Sequence, residues 1–141
     1  MKELSFPYTR YEVSEPGSKK RKHVYRPVIP VQILSGKKSV CFDALVDSGA
    51  DGCTFPGWVA KMVGKDVEDG RPKIFSGIGG AVLSFKHKVR LSVEGITFPM
   101  EAYFSHEWDD LPFGLLGQSG FFSRFDVAFS WRSKSIRLRK R

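Results

Sequence analysis

An all-β chain folded as a small closed barrel with one or two short helices is what the sequence predicts, on three observations. Apolar residues recur at every second position in several segments, the mark of strands with one buried face. The 14 Gly and 8 Pro cut the chain into short elements. Phenylalanine is abundant, at 12 residues, while helical spacing is confined to two brief stretches. Seven or eight strands suit a barrel, and 141 residues suit one domain over 1–141.

Taken in order, Val24 to Leu34 reads as a strand in which Pro27 and Pro30 favour a sheet edge. Ser35-Gly36-Lys37-Lys38 turns the chain into Ser39 to Val46, with Val40, Phe42, Ala44 and Val46 on one side. Pro56 to Gly64 has proline near its start and glycine at its end, the asymmetry of a one- or two-turn helix. Lys86 to Val93 points Val89, Leu91 and Val93 inward and Lys88 and Arg90 outward. Glu94-Gly95 is a turn, and Ile96, Phe98, Met100 and Ala102 continue the alternation on a return strand. Gln118 to Phe125 predicts a second short helix, because Phe121, Phe122 and Phe125 fall on one helical face. Asp126 to Phe129 and Ser135 to Leu138 form a last hairpin.

Composition narrows the class. At 41% hydrophobic residues the chain can bury a core, and wholesale disorder is excluded. No stretch approaches the roughly 20 apolar residues of a membrane helix. The opening MKELSFPYTRYEV lacks the apolar region of a signal peptide, so a cytoplasmic location is expected. Cys41 and Cys53 are too few for a disulfide framework or a four-thiolate zinc site. The formal charge of +8 is local: five basic residues fall in a loop at 19–26 and six in the C-terminal end at 132–141. The remaining 12 basic residues face all 15 acidic ones, so the body of the fold is mildly acidic. Such basic segments suit nucleic acid or an anionic surface. A solvated loop and a soluble end are the plainer reading.

Chemistry concentrates at Ala44-Leu45-Val46-Asp47-Ser48-Gly49-Ala50-Asp51. An apolar strand runs directly into a carboxylate, where charge is costly unless hydrogen-bonded. Gly49 permits a sharp backbone reversal there. Taken alone, Asp47-Ser48-Gly49 is equally a surface turn in which Asp47 caps its own backbone.

Three segments in order change that balance. The Asp47 stretch resembles the active-site loop of the retropepsin-like aspartic proteases: two apolar residues, Asp, Ser or Thr, Gly and Ala. Ile74 to Val82, with Gly77, Ile78, Gly79 and Gly80 at its tip, resembles the family's flap, a hairpin over the substrate. Gly114-Leu115-Leu116-Gly117 resembles the strand that threads beside the aspartate loop. Ser119-Gly120-Phe121-Phe122, Phe6-Pro7-Tyr8 and Arg26-Pro27-Val28 resemble the bacterial single-domain members in particular, and the likeness covers roughly 6–138. One departure stands out. Many members carry Arg after the threading strand, paired with the acidic residue matched by Asp51, whereas this chain has Gln118, which can hydrogen-bond Asp51 but not neutralise it.

The resemblance implies a barrel of the retropepsin type and an aspartic endopeptidase acting on extended polypeptide. Asp47 would be catalytic, supported by Ser48, Gly49, Ala50 and Asp51. The mechanism needs two carboxylates sharing a proton, and the chain has one Asp-Ser-Gly, so an active enzyme must be a homodimer with Asp47 facing its twofold mate. No cofactor or metal is expected.

Other constellations are weaker. Ser119 misses the spacing of a nucleophile elbow and reads as a helix cap. His106-Glu107-Trp108-Asp109-Asp110 matches no metal-ligand spacing and reads as a solvated loop. His23 and His87 read as surface residues and Cys53 as a small buried one. The alternative to an enzyme is a non-catalytic barrel of the same type, binding peptide or nucleic acid through its basic segments. Tyr25 alone interleaves an aromatic ring with them, so the nucleic-acid signal is faint.

Overall fold

In the computed structural model, which describes residues 2–77 and 80–141, strands carry most of the chain. They are β1 (Glu3–Pro7), β2 (Thr9–Ser14), β3 (Arg21–Arg26), β4 (Val28–Ser35), β5 (Lys38–Val46), β6 (Cys53–Pro56), β7 (Arg71–Gly77), β8 (Gly80–Val93), β9 (Ile96–Ser105), β10 (Gly114–Leu116), β11 (Phe125–Ser130) and β12 (Ser135–Lys140). One α-helix, α1 (Gly57–Met62), follows β6, and single 3₁₀ turns occur at Val67–Asp69 and His106–Trp108.

Six strands close a barrel in the order β4-β5-β10-β6-β9-β8, sealed where Gln32–Leu34 of β4 pair with Ser92–Arg90 of β8. The predicted small closed barrel is therefore present. Alternation explains it: Ile29, Val31 and Ile33, then Phe98, Met100, Ala102 and Phe104, turn inward at every second position. Phe55 stacks on Phe104 at 6.0 Å, and Phe125 joins Phe98 and Phe121 at 5.7 and 5.1 Å. Each such ring contributes about 1.5–3 kcal/mol by leaving water. The β8–β9 turn falls at Glu94 and Gly95, both at positive φ, as a two-residue hairpin whose twist matches its strands requires. Outside the barrel, β2 and β3 form a two-stranded arm, and β1-β12-β11 form a three-stranded sheet.

Four expectations change. The strand from Val24 to Leu34 is broken at Pro27 into β3 and β4, and β4 is not an edge, since it pairs with β5 and β8. Pro30 is tolerated because β8 pairs only with residues 32–34, leaving no bond for its missing N–H to make. Gln118 to Phe125 is a series of turns instead of a helix. Gly120 lies at φ 106°, which no α-helix continues, and the N–H groups of Phe122 and Ser123 reach back to Gly117 and Gln118. The phenylalanines still anchor the segment, Phe121 and Phe125 being fully buried. The basic stretch 19–26, expected as a loop, is strand β3 from Arg21 onward, paired with β2, while the predicted last hairpin is present as β11 and β12. Finally, His87 is buried, with Nε2 2.8 Å from the carbonyl of Val67.

Candidate active site

Strand β5 delivers Asp47 to the barrel's open end. The Val46 N–H donates to the Pro27 carbonyl at 2.9 Å and the Asp47 N–H to the Leu116 carbonyl at 3.0 Å, so the aspartate leaves a strand held on both sides. The chain then reverses: Ala50 N–H donates to the Asp47 carbonyl at 3.2 Å, and Gly49 N–H to Asp47 Oδ1 at 2.9 Å. One carboxylate oxygen is thereby aimed by the backbone, and the side chain is only half-buried. A β-carbon on Gly49 would sit 3.2 Å from that oxygen, a contact tight enough to push the carboxylate aside. Ser48 and Asp51 are exposed, and Ala50 is half-buried.

β10 is wedged between β5 and β6, with Leu115 opposite Leu45 on one side and Thr54 on the other. Leu116 is fully buried. Past the strand, Gln118 N–H donates to the Ala50 carbonyl and Ser119 N–H to the Asp51 carbonyl, both at 2.9 Å. The threading segment thus runs alongside the aspartate loop, and Gly117 lies where any side chain would collide with that loop's backbone. The expected role of Gln118 is corrected: its amide Nε2 donates to the Ser48 carbonyl at 2.9 Å and leaves the Asp51 carboxylate alone. Among the described residues, no ion pair reaches Asp51.

Asp47, Gly49, Ala50 and Asp51 floor a cleft of about 430 Å³. Phe75 and Ser76 of β7 line it together with Trp108, Leu111, Phe113 and Leu115. β7 and β8 pair outward as far as Gly77 opposite Gly80, as a hairpin beside the cleft. Its residues Ile78 and Gly79 lie outside the described residues. Phe75 packs edge-on against Tyr103 at 5.0 Å and Trp108 at 5.8 Å.

Phe75 falls within the stretch Ile74 to Val82 that resembles a flap, whereas Trp108, Leu111 and Phe113 were not legible as a site, because isolated apolar residues in loops carry no periodicity. The segment read as a solvated loop is instead firmly seated. His106 Nδ1 lies 2.7 Å from Asp109 Oδ2, Trp58 N–H donates to Asp109 Oδ1 at 3.0 Å, and the imidazole lies so close to Gly57 that a β-carbon there would meet it at 2.6 Å. Partial burial opposes charge on Asp109, but the bonds from His106 and the Trp58 N–H outweigh it and hold the carboxyl below its ordinary range. Cys53 is fully buried beneath the loop. Burial raises its thiol from 9.0 to about 11, against a smaller lowering by the Gly117 N–H. Among the described residues, no three His, Cys, Asp or Glu side chains cluster as metal ligands, and no helix is long and apolar enough to cross a membrane.

A closed six-stranded barrel with an Asp-Ser-Gly loop threaded by a Leu-Leu-Gly strand and overlooked by a hairpin is the retropepsin-like architecture. A family model described as aspartyl protease matches residues 29–119, and the chain belongs to that family. Among solved structures it is similar to the EIAV protease complexed with the inhibitor HBY-793, with a TM-score of 0.50 and 21% identity over 75% of this chain and 88% of that one. At that identity the likeness speaks to the fold. No curated protein matches the chain.

Proposed function

We propose that the protein is an aspartic endopeptidase assembled as a homodimer, in which Asp47 and the partner subunit's Asp47 share one proton. The observation that carries this reading is the Asp47 carboxylate itself: one oxygen fixed by the Gly49 N–H, the side chain half-exposed at the floor of a cleft, in a chain with a single Asp-Ser-Gly. One ionised carboxylate takes a proton from a water molecule placed between the pair. The protonated mate donates a hydrogen bond to the scissile carbonyl. The water oxygen adds to the carbonyl carbon while the mate's proton passes to the carbonyl oxygen, and the resulting diol breaks its C–N bond as the amide nitrogen takes the proton that the first carboxylate drew from water. Apolar walls at Phe75, Trp108, Leu111 and Phe113 suit an extended peptide bound with side chains in alternate pockets. Ser48 and Gly49 would keep the two loops in register, and Ala50 and Asp51 complete the floor. Leu115, Leu116 and Gly117 would hold each loop from behind. Gly77, Ile78, Gly79 and Gly80 would cover the substrate.

The non-catalytic alternative is the weaker reading, since charge on the basic arm is partly spent: Arg21 pairs with Glu12 at 3.1 Å and Lys22 with Glu15 at 2.5 Å. The deciding experiment is Asp47→Asn, assayed on a fluorogenic peptide library alongside sedimentation. The variant is expected to stay folded and dimeric while cleavage falls by roughly 10³-fold or more. Undiminished cleavage, or a wild-type protein that sediments as a monomer even with bound peptide, would refute the proposal.

A further inference from the structure

β8 is longer than the partner that flanks it. The β8–β9 ladder ends at Phe85 opposite Phe104, and one residue later the chain leaves the sheet at Ser105 for the 3₁₀ turn His106–Trp108. On that flank, the backbone groups of Leu83 face no strand. Two side chains stand in for one. Ser105 Oγ donates to the Leu83 carbonyl at 2.8 Å, and Glu107 Oε2 accepts from the Leu83 N–H at 3.2 Å. The same Ser105 hydroxyl accepts from the Glu107 N–H at 3.1 Å, so one oxygen caps the turn and bonds the hairpin together. Ser105 is buried, and its hydroxyl is engaged as donor and acceptor. The other arm meets the same turn, through Trp108 edge-on to Phe75. Both arms of the β7–β8 hairpin are therefore fastened to Ser105–Trp108, which is itself seated on α1 by Asp109 and His106.

We propose that Ser105 and Glu107 are positioning residues that hold the β8 arm at Leu83 beside the cleft, and so set how tightly peptide substrate binds more than how fast the bound peptide is cut. The idea rests on the peptide-binding reading of the cleft. Its logic is mechanical: β7, which carries Phe75 and Ser76 of the cleft, is joined to the sheet through β8, so loosening β8 at Leu83 shifts that lining before Asp47 is disturbed. Glu107 is exposed, so replacing it leaves the core intact.

Glu107→Leu removes the acceptor, while Glu107→Gln keeps an oxygen for the Leu83 N–H. In steady-state cleavage of an extended peptide, Glu107→Leu is expected to raise KM about fivefold with kcat changed less than about twofold, the factor expected for one solvent-exposed hydrogen bond of ordinary net strength. Glu107→Gln should restore most of the loss, and Ser105→Ala should match or exceed Glu107→Leu. Amide hydrogen exchange on the free protein reads the same contact without catalysis: Leu83 should exchange at least about fivefold faster in Glu107→Leu. A Leu83 amide no faster than wild type, an unchanged KM, or a Glu107→Gln variant as impaired as Glu107→Leu overturns the proposal. The exchange arm can overturn it even for a chain that cleaves nothing, which separates its failure from failure of the protease reading.

Discussion

Gly117→Ala tests how the aspartate loop is held. A β-carbon at 117 would lie 2.3 Å from the Gly52 carbonyl oxygen, 2.5 Å from that of Ala50 and 2.8 Å from the Gly52 carbonyl carbon. Ordinary contact begins at about 3.4 Å, so the loop must retreat by roughly 1 Å. All three atoms are backbone, and no rotamer change relieves them. Gly117 is not among the glycines at positive φ, so the cost is steric and not conformational. The retreat stretches the bonds from Gln118 N–H to Ala50 and from Ser119 N–H to Asp51. Two such bonds at about 1 kcal/mol each, with about 1–3 kcal/mol for overpacking, give a loss of about 3–5 kcal/mol. Asp47, whose N–H is tied to Leu116 one residue before the collision, moves too, and a displacement near 1 Å costs about 10²-fold in rate. Urea unfolding followed by tryptophan fluorescence measures the first quantity and peptide cleavage the second. A variant with wild-type midpoint and wild-type cleavage would show that the loop is not held against the threading strand, and the reasoning would fall.

Two further outcomes follow from titration. Cys53 stays protonated in the fold to about pH 11 and ionises near 9.0 when unfolded, so its contribution is complete below pH 9 and is lost as pH rises through 11. The stability difference between wild type and Cys53→Ala should therefore shrink by about 3 kcal/mol across that window in urea titrations, and a constant difference would contradict it. Asp109 is depressed in the fold, so its contribution is present above its ordinary 3.8 and is lost as pH falls through the lower folded value. Thermal melts should show wild type losing its advantage over Asp109→Asn only in that acid range. An advantage that begins to fall well above pH 3.8, or that does not shrink on acidification below it, would refute the assignment.

Much of the barrel could be read before the structure was known, because local pattern and tertiary burial agree in it. Val89, Leu91 and Val93 on β8 and Ile96, Phe98, Met100 and Ala102 on β9 turn inward as their alternation requires, around the two-residue turn at Glu94 and Gly95. The Asp47 loop and the Leu115-Leu116-Gly117 strand, identified by resemblance, lie side by side. Where local and long-range demands diverge, the reading failed. Phe121, Phe122 and Phe125 have helical spacing, yet Gly120 at positive φ and the bridge of Ser119 to Gly52 hold the segment in turns. β1 went unseen because its partner is β12 at the far end of the chain, a pairing no window detects. The turn carrying Trp108 looked solvated because its anchors, Gly57, Trp58 and Leu83, come from elements remote in sequence.

The wedge formed by β10 has a bearing on how the molecule is made. Synthesis runs from the N-terminus, and the β4–β5 and β8–β9 hairpins can form as soon as they emerge, since each pairs neighbours. The amide of Asp47, by contrast, has no acceptor until Leu116 is synthesised, and its loop has no backing until Gln118 and Ser119 arrive. A nascent chain on the ribosome therefore carries the aspartate without the scaffold that aims it, and competence is withheld until nearly the whole domain has been translated.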